Sequence, residues 1–267
     1  MIKFTVITST YNCAENLKLT ADSIRAQVYP HIQWIIADGA SSDRTLQIIT
    51  ENIDIVTNWF SEPDSGIYDA WNKACQYISG DWIIFMGAGD VFCDTNTLLS
   101  VAEKLGDNNS VSTVYGDVYL VNGPIVVGKY GKVINQWECG RPALPPHQGT
   151  FQRSNLFLKE SELFDKTLKI AADSDFLLRT IYKQNLLYLN IPIANMDASG
   201  VSSSNQNRSL VRKEIKYVLK KNKINVPLSV TIRTETSYWI TSFAKKLLPR
   251  KLLAKMINTK RKIFGLR

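Results

Sequence analysis

Apolar and polar positions follow two rhythms along the first hundred residues. Residues 4–9 form a buried-strand run, and residues 14–27 place Leu17, Ala21 and Ile24 at helical spacing. Residues 33–37 are a second short apolar strand ending at Asp38-Gly39, followed by a short helix over 42–51. A third strand is expected over 53–60, a helix over 65–78 and a fourth strand over 82–86. This alternation predicts a mostly parallel sheet flanked by helices. Farther along, 114–120 and 125–130 alternate around Asn122-Gly123-Pro124, a hairpin signal, and 156–163 and 173–184 have helical spacing. Beyond Asn207 the chain is Lys-rich and amphipathic.

In a sheet of this kind, ligands sit beyond the carboxyl ends of the strands. The polar clusters fall there: residues 8–12, 38–43, 62–66 and 87–90. Four separate loops would therefore converge on one crevice. Thr8, Thr10, Tyr11 and Asn12 offer hydroxyls, an aromatic face and a carboxamide for a base and ribose, although Thr10 or Asn12 also suits a helix cap. Asp38 can accept a hydrogen bond from a base N–H or a ribose hydroxyl. Gly39 permits a tight turn, and Ser41 stands close by, while Ser42 or Asp43 suits the next helix start.

Asp64 opens a turn that Ser65 and Gly66 continue, and Asp69, Asn72 and Lys73 then share one helix face. The apolar fourth strand delivers Asp90 past Ala88 and Gly89; a carboxylate is a hard ligand suited to Mg²⁺ or Mn²⁺ beside a diphosphate. Asp173 and Asp175 stand two apart at a helix start, where negative charge is favourable, and either could deprotonate an acceptor hydroxyl. His147, in the turn 146–149, could touch acceptor or diphosphate, although a lone His also serves structure.

The 267 residues, 45% of them hydrophobic, suffice for one α/β domain with an appendage. Four Cys without a CxxC pair and two His argue against a zinc site and a disulfide framework, and the chain reads as cytoplasmic. Its start lacks the apolar run of a signal peptide, and no stretch of about 18 apolar residues predicts a membrane span. The net charge of +8 is uneven. Residues 1–207 carry 15 Lys/Arg against 22 Asp/Glu, and residues 208–267 carry 17 against 2. An acidic body with a basic tail suggests that the tail meets an anionic surface.

Taken together, these segments resemble the family 2 glycosyltransferases. Thr8-Ser9-Thr10-Tyr11-Asn12 is similar to that family's first-strand motif, and Asp38-Gly39-Ala40-Ser41-Ser42-Asp43 to its nucleoside-binding DGxSxD loop. Residues 64–73 resemble a DxGIYDAxNK signature of a branch acting in capsule, O-antigen and exopolysaccharide assembly. Gly80-Asp81 followed by Asp90, then His147-Gln148 and Asp173-Ser174-Asp175, complete the order over roughly residues 2–185. The chain departs from the pattern at Gly89, where the family presents an acid.

The resemblance implies a GT-A (Rossmann-like) domain over 1–205, with 1–110 binding the nucleotide sugar and 111–205 the acceptor; the Lys-rich pattern makes 206–267 a basic helical extension, for a bilayer surface or else packed on the body. The resemblance also implies an inverting transferase of the hexosyl or N-acetylhexosaminyl type. The donor would be a UDP-sugar and the acceptor a lipid-linked or growing surface polysaccharide. Asp90 would face Mn²⁺ or Mg²⁺, and Asp173 would be the base, with Asp175 as the alternative. The basic tail would place the enzyme at the inner face of the cell membrane, where an anionic bilayer attracts Lys and Arg; self-association is left open. Nucleic acid is not an expected partner, since no nucleic-acid module is visible. The competing reading is a non-catalytic nucleotide-sugar-binding scaffold, motivated by Gly89. A nucleotidyltransferase fits less well, because residues 10–13 are not a glycine-rich phosphate loop.

Overall fold

A computed structural model describes residues 1–106, 110–132, 137–138, 140–158, 163–181, 186–198 and 207–247, and the side chains of these except 181 and 241–247. The first half alternates as the sequence predicts. β1 (Phe4–Thr10), α1 (Ala14–Arg25), β2 (Ile32–Asp38), α2 (Thr45–Glu51), β3 (Asn58–Ser61), α3 (Ile67–Cys75) and β4 (Trp82–Phe85) follow one another. The third strand is shorter than expected: residues 52–55 form a turn, and Val56 alone of that stretch is buried. β5 (Val91–Phe92) and α4 (Thr97–Leu105) come next.

The second half holds the expected hairpin, β6 (Thr113–Asn122) and β7 (Ile125–Tyr130), then β8 (Trp137–Glu138), β9 (Arg141–Pro142) and β10 (Thr150–Arg153). α5 (Ala172–Ile181), β11 (Leu186–Asp197), α6 (Arg208–Lys221) and α7 (Leu228–Leu247) complete the chain. The helix expected over 156–163 is a single 3₁₀ turn, Ser154–Phe157, and residues 159–162 lie outside the described residues. The stretch 182–184, expected to end α5, and the basic segment 248–267 also lie outside them.

One sheet runs β3-β2-β1-β4-β10-β6-β11-β5, with β7 beside β6. The first four strands are parallel. β10 enters antiparallel between β4 and β6, and β5 is antiparallel to β11, so the second half makes the sheet mixed. The strand period of two sorts side chains onto two cores. Phe4, Val6, Trp34, Ile36, Trp82 and Ile84 face α1, α2 and α4. Ile7, Ile35, Ile83 and Phe85 face α3, α5 and α6. Ile215, Val218 and Leu219 of α6 belong to this second core, so α6 is part of the body and not of a loose tail. No helix among the described residues is long and apolar enough to cross a membrane.

Candidate active site

Parallel register lines Thr10, Asp38 and Ser61 up across the ends of three strands. Asp38 is buried, and four donors meet its carboxylate: Thr10 Oγ1 at 2.8 Å, Ser41 N at 2.8 Å, Ser41 Oγ at 2.5 Å and Ser61 Oγ at 2.7 Å. A carboxylate has about four lone-pair sites, so this one is saturated. Asp38 thus fixes the shape of the rim, and a nucleoside would reach it only by displacing one of these donors. Asn12, in the left-handed region at φ 47°, sends its Oδ1 to the amides of Ser42 (2.8 Å) and Asp43 (3.3 Å), and its own N–H reaches Ser41 Oγ at 2.8 Å. Asp43 accepts from the amides that start α1 (Ala14, 3.2 Å) and α2 (Thr45, 2.9 Å). The Thr45 hydroxyl bond, with those amides, holds its carboxyl below the ordinary range. Tyr11 is 67% exposed at this rim, free to cover a planar group.

Gly39 explains how the second and third loops meet. A Cβ there would stand 2.6 Å from Asp64 Oδ2, so any larger residue would push the Asp64 carboxylate off this seat. Asp64 Oδ1 accepts Gly66 N at 2.8 Å, and Asp69 Oδ2 accepts Ser65 N at 3.0 Å, which shapes the turn before α3. The rest of the expected polar face is spent inside the protein. Asn72 forms a pair of bonds with the Phe164 backbone (Nδ2 to O 2.8 Å, Oδ1 from N 3.0 Å), pinning the two halves together. Lys73 is held by Glu62 (2.8 Å) and the Pro63 carbonyl (2.9 Å).

Two other expectations are corrected. Thr8 is fully buried, and its Oγ1 accepts the Trp34 indole N–H at 3.0 Å, because it points into the first core; it cannot touch a nucleotide. His147 is buried and packs on both Trp71 (5.2 Å) and Phe85 (5.4 Å), themselves 4.7 Å apart, with Phe164 edge-on, so it offers no surface to diphosphate or acceptor. Neither ring nitrogen has a hydrogen-bond partner, and burial pulls its pKa down.

At the end of β4, Gly87 N donates to Asp90 Oδ2 at 2.9 Å, and Thr20 of α1 bonds both Gly89 N and the Asp90 carbonyl at 2.9 Å. Gly89 has φ 101°, a conformation that disfavours the acid the resemblance expected there. Ala88 is half-buried and packs against the first core. The sequence missed the neighbour that matters, Asp197 at the end of β11. Pairing of Asn195 with Val91 brings that strand end alongside residues 89–90. Burial pushes the Asp90 carboxyl up to about 7, with the charge of Asp197 adding to it and the amides of Gly87 and Asp197 opposing. A buried carboxylate with a second one on the adjacent strand end suits a hard divalent ion that completes its shell with water and phosphate oxygens. No larger group of ligand-type side chains occurs among the described residues. Only the β11 pairing, 107 residues later in the chain, could have revealed Asp197.

Across from this rim, Asp173 and Asp175 part ways. Asp175 is fully buried and bonded by Arg179 Nε (3.1 Å), Lys221 Nζ (3.0 Å) and Asn222 Nδ2 (2.8 Å), which does not fit an alternative base. Asp173 is half-buried, and its Oδ1 accepts the adjacent Ser174 N–H at 2.6 Å. The segment before it is clamped. Glu214 of α6 accepts the amides of Lys169, Ile170 and Ala171 at 2.8–2.9 Å. The Tyr68 hydroxyl donates to Ile170 O at 2.6 Å, and Lys169 Nζ reaches Ser65 O at 2.6 Å. Burial, then the charge of Asp173, raises the Tyr68 hydroxyl well above its ordinary value. The start of α5 is thereby fastened to the turn that carries Asp64.

A mixed sheet flanked by helices, with carboxylates gathered past its strand ends, is the layout of a GT-A glycosyltransferase. The chain belongs to the glycosyl transferase family 2, whose family model matches residues 5–167. A glycosyltransferase of Mycobacterium tuberculosis is 30% identical over 206 residues, covering 74% of this chain and 76% of that protein. WfgD of Escherichia coli, a UDP-Glc:alpha-D-GlcNAc-diphosphoundecaprenol beta-1,3-glucosyltransferase, is 26% identical over 129 residues, 47% of this chain and 49% of WfgD. Residues 1–349 of S. aureus TarS, solved with UDP, superpose with a TM-score of 0.66 at 18% identity, covering 96% of this chain and 78% of that one. Against the longer TarS chain, the present chain spans 40%.

Proposed function

We propose that this glycosyltransferase moves a hexosyl or N-acetylhexosaminyl unit, with inversion, from a UDP-sugar to a hydroxyl of a lipid-linked or growing surface-polysaccharide acceptor. The observation that carries this is the fastening of α5 to the strand-end rim: Tyr68 and Lys169 tie the segment bearing Asp173 to the loop bearing Asp64, which Gly39 seats against Asp38. The names of WfgD and of the TarS complex support the choice of UDP, and that of WfgD supports a diphosphate-linked lipid acceptor.

The rim made by Thr10, Asn12, Asp38, Ser41 and Asp64 shapes the nucleoside end, with Tyr11 as its cover. Asp90, with Asp197, would hold Mn²⁺ or Mg²⁺. Such an ion, when bound, stabilises the negative charge that grows on the departing diphosphate. Asp173 takes the proton of the acceptor hydroxyl as that oxygen bonds to the anomeric carbon and the bond to the UDP oxygen breaks. Asp175 and Glu214 hold the base in place through the two ends of its segment.

A transfer assay with UDP-sugars and a diphosphate-linked lipid saccharide tests the reading. Asp173→Asn is expected to lower kcat roughly a hundred- to ten-thousand-fold, the usual share of a general base. UDP affinity and melting temperature should stay near wild type. A variant that transfers sugar at the wild-type rate would remove Asp173 from the chemistry. UDP binding by a wild-type protein with no turnover would point to a scaffold instead.

A further inference from the structure

Beyond the sheet, α7 carries an apolar face left exposed among the described residues. Leu228 (74% exposed), Ile232 (54%) and Trp239 (66%) recur at helical spacing along one side, and Ile240 (58%) lies beside them. The opposite side is where α7 meets the body, through buried Val230 and through Thr234 against Gly140. Three large apolar side chains exposed on one side of a helix whose other sides meet the body and α6 call for a partner.

The neighbouring charges say which kind. Glu235, one turn from Trp239 and close to the apolar row, is bonded by Arg212 and by Lys216 at 2.9 Å, so α6 lies along that side of α7. The outward face of α6 shows Lys213, Lys216, Lys220 and a half-exposed Tyr217. The two acids of residues 208–267 are both consumed inside the protein: Glu214 by three backbone amides, Glu235 by α6. Among the described residues, Lys213 and Lys220 are therefore left exposed beside a stripe of Leu, Ile and Trp. A basic face next to an apolar stripe with an interfacial Trp is the arrangement of a helix lying in a lipid headgroup layer.

We propose that the exposed face of α7, flanked by the lysines of α6, seats on an anionic lipid bilayer, with Trp239, Ile232 and Leu228 entering the headgroup layer. This deepens the reading of a lipid-linked acceptor, but it is tested without donor, acceptor or turnover, so either can fail while the other stands.

The test is cosedimentation of the full chain with vesicles of phosphatidylcholine alone or mixed with phosphatidylglycerol. Binding is expected to the mixed vesicles and to weaken strongly as salt is raised. Ile232→Ser and Trp239→Ser should each lower the affinity roughly tenfold or more, as expected for withdrawing a large apolar side chain. Lys213→Gln and Lys220→Gln should each lower it about fivefold. Since a serine variant could misfold, Trp239→Phe supplies a second reading: it should still bind, yet lose the quenching by brominated lipid that wild type shows at this residue. Equal binding to neutral vesicles, no binding at all, or quenching unchanged in Trp239→Phe would overturn the proposal. A concentration-dependent dimer that Trp239→Ser dissolves would assign the face to a second copy of the chain and overturn it as well.

Discussion

At the scale of single residues, the two acids that open α5 show how position alone misleads. Asp173 and Asp175 are two apart, yet one is half-buried near the rim and the other is enclosed by Arg179, Lys221 and Asn222. Asp175→Ala should therefore cost stability, on the order of 3–5 kcal/mol for breaking a network around a fully buried anion. The lower end is expected because Lys221 keeps 34% of its side chain in solvent. Denaturant unfolding reads this directly, and an unchanged midpoint would mean that the network is idle. His147 gives a pH signature. Its pKa is lowered by burial, so the unfolded chain takes up a proton near pH 6.5 that the folded chain refuses. Stability from this group is present above that pH and falls as the pH drops below it. His147→Phe should keep the aromatic stack, remove two unpaired nitrogens and flatten the decline of melting temperature below about pH 6.5. Identical slopes in the two proteins would contradict the buried placement. None of this was legible in the sequence, where His147 sits in a polar turn and nothing marks Trp71 and Phe85 as its walls.

Elements were legible wherever a local rhythm governs them. β1, β2 and β4 read as continuous apolar runs because both their faces are buried, and α1 and α3 as helical periods because each buries one face. The hairpin β6–β7 was readable from Asn122-Gly123-Pro124, with Gly123 at φ 56° in the left-handed region. β10 and β11 were not read, because their partners are set by sheet order and not by chain order. The same limit hid Glu214, whose carboxylate serves amides more than forty residues earlier. Glu214→Ala should destabilise the start of α5 by at least about 2 kcal/mol. Hydrogen exchange at residues 169–173 should speed up while the rim at 38–43 stays protected. Uniform acceleration across both would show that Glu214 supports the whole fold and not that segment.

For the whole molecule, the sequence suggested a boundary near residue 205, with everything after it as an extension. The packing divides the chain differently. α6 fills the second core with Ile215, Val218 and Leu219, and its end supplies Lys221 and Asn222 to Asp175. A chain ended at residue 205 should fail to give a cooperative thermal transition by circular dichroism, and one that melted like the full chain would restore the earlier boundary. The proposed function requires one donor site at the strand ends, and calorimetric titration of UDP in the presence of Mn²⁺ tests that most directly. A single site is predicted, weakened at least tenfold by Asp64→Asn and by Asp90→Asn and left near wild type by Asp173→Asn. Equal affinity in all four proteins, or no binding by wild type, would contradict it.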